Sequence, residues 1–232
     1  MPKEKNDNPE KWKEPVAESH RLLVEGAALL GVFLDENQVC LFERFLEELK
    51  KWNGKVNLTA LRKDRDIVVK HFLDSLSLVK YLPFGVSLLD IGSGAGFPGI
   101  PLKIARPDIS IILLEGSRKK VHFQKRIIRL LDLSNIQSIW GRSDQAEIRR
   151  DLGNRFDVVV SRAVSSGEVF LEGAAPFVRP GGVIAVMEGA QTRTLSIPES
   201  LPITMVQTIS LELPFDAIKR NLTFYRKLMS PE

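Results

Sequence analysis

The sequence predicts an α/β fold: a mostly parallel sheet, a terminal antiparallel strand pair and an N-terminal helical extension. From residue 87 onward short apolar runs alternate with amphipathic stretches, the rhythm of strands joined by crossover helices. The first of those runs leads straight into LLDIGSGAGFPGIP at 88–101, a turn rich in glycine and proline. Before residue 84 the apolar residues instead recur at helical spacing.

Residues 1–15 are polar and bracketed by prolines, so they are expected to form a flexible arm. Apolar periodicity from Val16 to Leu30, stopped by Gly31, predicts a first helix; Asp35 caps a second that runs to about Trp52. A third pattern, Asp64 to Leu82, carries Val68, Phe72, Leu76 and Val79 and ends at Pro83. Together 16–83 make the helical extension, expected to form one compact unit with 84–232. In that second part strands are expected at 87–92, 109–115, 136–140, 156–161 and 182–187, with helices near 98–105, 117–131, 143–151 and 167–178. The helix from Ser117 sets Val121, Ile127, Ile128 and Leu131 against Lys119, Lys125, Arg126 and Arg129, a basic face that is solvated or meets phosphate. Two extended segments between 203 and 228, parted by Pro214, fit a terminal antiparallel pair.

Composition narrows the class. With 232 residues, 44% hydrophobic and 27% charged, the chain reads as soluble and globular, neither disordered nor fibrous. The single cysteine, Cys40, excludes an internal disulfide framework and a cysteine-based zinc cluster; set among apolar neighbours, it is expected to be buried and inert. No metal site is assigned. No apolar run reaches the roughly 18 to 20 residues that span a bilayer, and no hydrophobic leader opens the chain, so a cytoplasmic location is expected. A net charge of +4 tolerates an anionic partner such as nucleic acid.

Ligands of open parallel sheets lie beyond the carboxyl ends of the strands, where the glycine stretch sits. Gly92, Gly94 and Gly96 permit positive φ and close approach of a ligand to backbone. Two readings compete. Gly94, Gly96 and Gly99 satisfy G-x-G-x-x-G, the dinucleotide fingerprint, which would place a pyrophosphate at the helix start. Alternatively Asp90 closes the strand of an Asp-x-Gly-x-Gly-x-Gly loop that cradles an amino-acid-and-ribose ligand; Asp90 could meet an ammonium, and Pro98 lacks the N–H a phosphate would want. Glu115, closing the second strand, is placed to accept both hydroxyls of a ribose. Ser143 and Asp144, after the third strand, either read an adenine amino group or cap the following helix. Ser161 and Arg162 follow the fourth strand, Arg162 holding substrate phosphate or pairing with an acid. His71 and Asp74, at i and i+3, are read as pinning their helix against the glycine loop.

DIGSGAG, the strand-ending Glu115, SRA at 161–163 and RPGG before the fifth strand resemble Rossmann-like class I S-adenosylmethionine-dependent methyltransferases. More narrowly, WNGKVNLTA (52–60), HFLDSL (71–76) and DIGSGAGFPGIPL (90–102) resemble the guanine-N7 methyltransferase family of small-subunit ribosomal RNA called RsmG, or GidB, over about residues 20 to 230. That resemblance implies S-adenosyl-L-methionine as cofactor and N7 of a guanine in a loop of 16S rRNA, within the small subunit or an assembly intermediate, as target. It further implies Gly92 and Phe97 on the cofactor, Ser143 and Asp144 beside its adenine, and Arg162 beside the transfer site. The chain departs from the family pattern twice: Met187-Glu188-Gly189 stands where many members have an apolar residue, lysine and glycine, and Ser143-Asp144 stands where Ala-Glu is usual.

Guanine N7 carries a lone pair and no proton, so no catalytic base is nominated; alignment of the reactants is the protein's task. The major-groove edge of an A-form duplex is out of reach of side chains, so the target lies in a loop, and Arg118, Lys119 and Lys120 are candidate RNA contacts. The alternatives are an NAD-binding oxidoreductase using the literal fingerprint, and a non-catalytic rRNA-binding assembly factor.

Overall fold

The computed structural model describes residues 13–162, 167–189 and 197–229; most of the expected arm (1–12) and Ala163 of the SRA motif lie outside the described residues. Lys13 to Pro15 already belong to the first helix, α1 (Lys13–Leu29), rather than to the arm. Helix α2 (Glu36–Val56) starts as Asp35 predicts, in a reciprocal capping box: Gln38 N–H donates to Asp35 Oδ1 at 2.8 Å and Asp35 N–H to Gln38 Oε1 at 3.0 Å. It ends on Asn57 in the left-handed region, φ 50°. Its buried stripe is Val39, Phe42, Phe45, Leu46 and Leu49. Cys40, one position past Val39, is turned about 100° from that stripe and is exposed, against the expectation of a buried thiol.

The single helix expected over 64–82 is broken up. Helix α3 is regular over Asp64–Ile67, winds as a wider π-helix over Val68–Leu73 and resumes over Asp74–Leu76, with a separate 3-10 turn at Val79–Tyr81. A π turn releases carbonyls from the regular ladder. Here Lys70 O accepts from Arg162 Nη1 at 3.1 Å and His71 O from Ser75 Oγ at 2.6 Å.

The sheet contains β1 (Ser87–Ile91), β2 (Ser110–Glu115), β3 (Ile136–Trp140), β4 (Phe156–Arg162), β5 (Val178–Glu188), β6 (Ile203–Leu213) and β7 (Ile218–Lys227), in the order β3-β2-β1-β4-β5-β7-β6. The first five are parallel; β7 runs antiparallel to both β5 and β6. Helices α4 (Gly99–Ala105), α5 (Arg118–Leu130), α6 (Ala146–Leu152) and α7 (Gly167–Ala174) fill the crossovers close to where the apolar runs place them. Strand β5 is longer than its apolar run: its pairing to β4 jumps from Phe156↔Val178 to Val158↔Val183, so RPGG forms an irregularity inside the strand instead of preceding it.

One buried cluster joins the helical extension to the sheet, from Leu22, Phe42 and Phe72 through Phe97 and Phe123 to Leu222. Phe45 sits at its middle, fully buried, with ring centroids 5.4 Å from Phe72 and 5.3 Å from Phe97. Phe45→Ala is expected to cost about 3–5 kcal/mol, read as a lower urea midpoint with an unchanged slope. The opposite face of the sheet packs Leu152, Phe156, Leu171 and Phe177. Among the described residues no helix is long and apolar enough to cross a membrane.

Candidate cofactor and substrate site

Strand order reverses between β1 and β4, which opens a crevice at their carboxyl ends. Ser161 Oγ on β4 donates to Ile91 O on β1 at 2.8 Å, tying the two lips together. Above them the glycine loop turns with Gly92 at φ 70° and Gly96 at φ 97°. A Cβ on Gly96 or Gly99 would lie 2.3 Å from Ile100 Cδ1 or Leu113 Cδ2, so those glycines serve the protein's own packing. A Cβ on Gly92 would meet nothing within 4 Å among the described residues. Gly92 instead borders two cavities, of about 640 Å³ and about 180 Å³.

The loop is held by side chains beneath it. Glu115, at the end of β2, accepts from Gly94 N–H through Oε2 and from Ser117 N–H through Oε1, both at 2.8 Å, and lines the larger cavity. Gln124 Nε2 donates to Ser93 Oγ and Gly94 O at 2.8 Å, while its Oε1 accepts from Ser138 Oγ at 2.5 Å. The sequence reading passed over Gln124, yet the signal exists: it is a polar residue three positions from both Val121 and Ile127 on the apolar arc of α5. Asp90 is fully buried beneath the loop; its Oδ2 accepts from Gly99 N–H at 2.8 Å. Its Oδ1 has no partner among the described residues, and burial pushes the carboxyl up to about 7.

These bonds decide between the two glycine readings. Pro98 has no N–H, Gly99 N–H goes to Asp90 and Ile100 N–H goes to Gly96 O at 2.8 Å, so the start of α4 has no amide left for a pyrophosphate. The literal G-x-G-x-x-G match, and the oxidoreductase with it, is not favoured.

The larger cavity runs from Gly92 and Glu115 to Gly116, Ser143, Asp144 and Gly173. Helix α6 starts later than expected, with Gln145 at its N-cap position, so neither Ser143 nor Asp144 caps it; both stand in the cavity wall, where Arg142 pairs with Asp144 at 3.3 Å. The smaller cavity continues past Gly92 to Gly94, Phe97, His71, Lys120 and Arg162. Phe97 is stacked on His71 with centroids 4.4 Å apart and has the Arg162 guanidinium 5.2 Å from its ring. Of the three α5 cations, Lys120 borders this cavity, Arg118 lies over the half-exposed Trp140 ring at 4.1 Å, and Lys119 is exposed.

Arg162 is the centre of a network. Its Nη2 donates to His71 Nδ1 at 2.8 Å, and its Nη1 reaches Asp74 Oδ2 at 3.3 Å; Arg220 Nε on β7 meets the other Asp74 oxygen at 2.9 Å. Arginine only donates, so Nδ1 is an acceptor and the His71 proton sits on Nε2, directed to Thr59 Oγ1 at 2.7 Å. Thr59 is in turn fixed by Asn53, whose Oδ1 accepts its N–H at 2.9 Å, which is what the NLTA loop of the sequence provides. Thr59 and Arg220 are further members that sequence spacing did not bring together with Arg162.

Burial, then the Arg162 charge, lowers the His71 pKa from 6.5 to about 3, so the folded protein keeps it neutral. The unfolded chain takes up a proton near 6.5, and stability present above that pH is lost as pH falls toward 3. Between pH 7 and 5 this amounts to about 2 kcal/mol. Wild type should therefore lose thermal stability on acidification more steeply than His71→Gln, whatever the variant's stability at pH 7; parallel slopes would exclude the coupling.

Strand order, the glycine loop over a buried acid and a carboxylate closing β2 define a class I, Rossmann-like S-adenosylmethionine-dependent methyltransferase. The same fold is found in TrmN from Thermus thermophilus (TM-score 0.53, 16% identity, 69% of this chain and 53% of that one) and in TYW2 of M. jannaschii in complex with AdoMet (TM-score 0.50, 14% identity, 67% and 75%). A family model described as GidB, rRNA small subunit methyltransferase G, matches residues 38–222. Proteins named ribosomal RNA small subunit methyltransferase G are 42% identical in Geobacter metallireducens, over 88% of this chain and 94% of that one, and 38% identical in Acetivibrio thermocellus, over 89% and 88%. The chain belongs to the GidB family of rRNA small subunit methyltransferases. Among the described residues no group of three or more His, Cys, Asp or Glu is placed to hold a metal ion.

Proposed function

We propose that this chain uses S-adenosyl-L-methionine to methylate N7 of a guanine in a loop of 16S rRNA, on the small subunit or its assembly intermediate, in the cytoplasm. The observation that carries the reading is the paired cavity at Gly92: the larger arm, about 640 Å³, is lined by Glu115, Ser143 and Asp144, and the smaller arm is lined by Phe97 and Arg162. The residues fit the cofactor, because a Cβ at Gly92 would enter open space and Asp90 keeps an acceptor without a partner among the described residues.

Glu115 would take the ribose hydroxyls, Ser143 and Asp144 the adenine, Gly92 the floor where the two cavities meet, and Gly94 and Phe97 the wall of the smaller one, with Gly96 shaping the loop through its packing on Ile100. Asp90 acts from beneath, through the Gly99 amide and as a negative potential under a cationic ligand. When bound, S-adenosylmethionine would supply an electrophilic methyl group on a sulfonium, to be accepted by the N7 lone pair. The chain's part is to hold the base in line, with Arg162 fixed by Asp74 and His71, and pre-orientation of this kind can supply about 7–11 kcal/mol. The helical extension 16–83 works as one unit with 84–232, since His71 and Thr59 come from it. Arg118, Lys119 and Lys120 are the RNA contacts we assign beside the cavity mouth.

Incubation with tritiated S-adenosylmethionine and small subunits from a strain lacking the activity, followed by mapping of the label, tests this. Label on one guanine supports the reading; cofactor binding without transfer would make the protein an assembly factor instead.

A further inference from the structure

A third cavity, of about 440 Å³, adjoins the 180 Å³ one and shares Thr59, His71 and Arg162 with it; its far wall is Met187, Glu188 and Gly189 at the end of β5, with Arg220. Glu188 is the residue the proposed reaction does not account for. Its Oε2 is buried with no hydrogen-bond partner among the described residues, a condition that costs stability and is rare unless a ligand relieves it. Arg162 and Arg220 line the same cavity, yet both are directed to Asp74, leaving the Glu188 carboxylate outside that network. Burial alone raises its pKa.

A carboxylate facing RNA repels phosphate, so its partner there must be a donor on a base or sugar. Guanine offers one that fits. The edge of the ring opposite N7 presents N1–H and the 2-amino group side by side, two parallel donors that one carboxylate accepts. Adenine presents a lone pair at N1, and a carboxylate set against it is repelled. Resting on the function proposed above, we infer that Glu188 is a specificity-determining residue that accepts from N1–H and the 2-amino group of the target guanine, turning N7 toward the glycine loop. Enzymes acting on an extruded base commonly read it by that edge. The departure from lysine at this position thereby becomes a base contact in place of a basic one.

Inosine, which lacks only the 2-amino group, is the discriminating probe. Small subunits are reconstituted with 16S rRNA ligated to carry guanine or inosine at the nucleotide that takes the label, and kcat/KM is measured for the full-length wild type, Glu188→Gln and Glu188→Ala. Wild type is expected to prefer guanine by about 10- to 100-fold, the effect of one hydrogen bond to a charged acceptor. The ratio should fall in Glu188→Gln and approach 1 in Glu188→Ala, with S-adenosylmethionine binding by calorimetry unchanged in both, which also certifies folding. An unchanged ratio in Glu188→Ala, no preference in the wild type, or loss of cofactor affinity in place of base preference would overturn the assignment alone. No transfer to guanine by the wild type would overturn the proposed function, and this assignment with it.

Discussion

Glu115→Ala should weaken S-adenosylmethionine binding by about 100-fold or more. Each carboxylate oxygen already accepts one backbone amide, Gly94 N–H on one side and Ser117 N–H on the other. An oxygen of a carboxylate has room for a second donor, so a ribose can be received while both amides stay in place. Losing two charge-assisted bonds to the ligand, at about 1.5–3 kcal/mol each, accounts for the expected factor. Glu115→Asp separates the two roles: the shorter acid keeps the charge and cannot span Gly94, Ser117 and the ligand together. Isothermal titration of both variants provides the check, and an alanine variant that binds within threefold of wild type would remove Glu115 from the cofactor site.

The largest loss of stability is expected at Asp74. This carboxylate, with 4% of its side chain accessible, stands between Arg162 and Arg220. Asp74→Ala leaves two guanidinium groups facing each other without the charge that separates them, and removing one member of a buried ionic set costs about 3–5 kcal/mol. Turnover should fall with it, because Arg162 would lose one of the partners that fix it beside Phe97. Asp74→Asn, which still accepts from one arginine, should cost less. Urea unfolding of the two variants orders the effects, and equal costs would mean that charge balance rather than hydrogen bonding is what the site requires.

The parallel strands were legible because a strand buried on both faces has to be an unbroken apolar run, and SLLDI, SIILLE and FDVVVS are such runs. The glycine loop was legible for a related reason: only glycine takes positive φ without strain. What stayed hidden depends on partners remote in sequence. Residues 68–73 keep an ordinary amphipathic pattern, and nothing local marks the wider turn, since the arginine that uses the freed Lys70 carbonyl comes from β4. Asp74 likewise meets Arg220 across 146 positions. RPGG reads as a turn between elements, whereas β4 pairs on either side of it, at Val178 and again from Val183, which keeps it within β5. Cys40 was misplaced by neighbours in sequence; helix rotation, not adjacency, decides which side chains are buried.

Strand β7 slots between β5 and β6, so the neighbour that β5 needs is synthesised after the strand that lies beyond it. While a nascent chain is still emerging, β5 has a bare edge, Asp74 has one counter-ion instead of two, and the wall that carries Glu188 is unsupported by Asn221 opposite it. Competence to modify RNA should therefore wait for the β6–β7 hairpin, and chains interrupted before residue 220 are expected to be silent products.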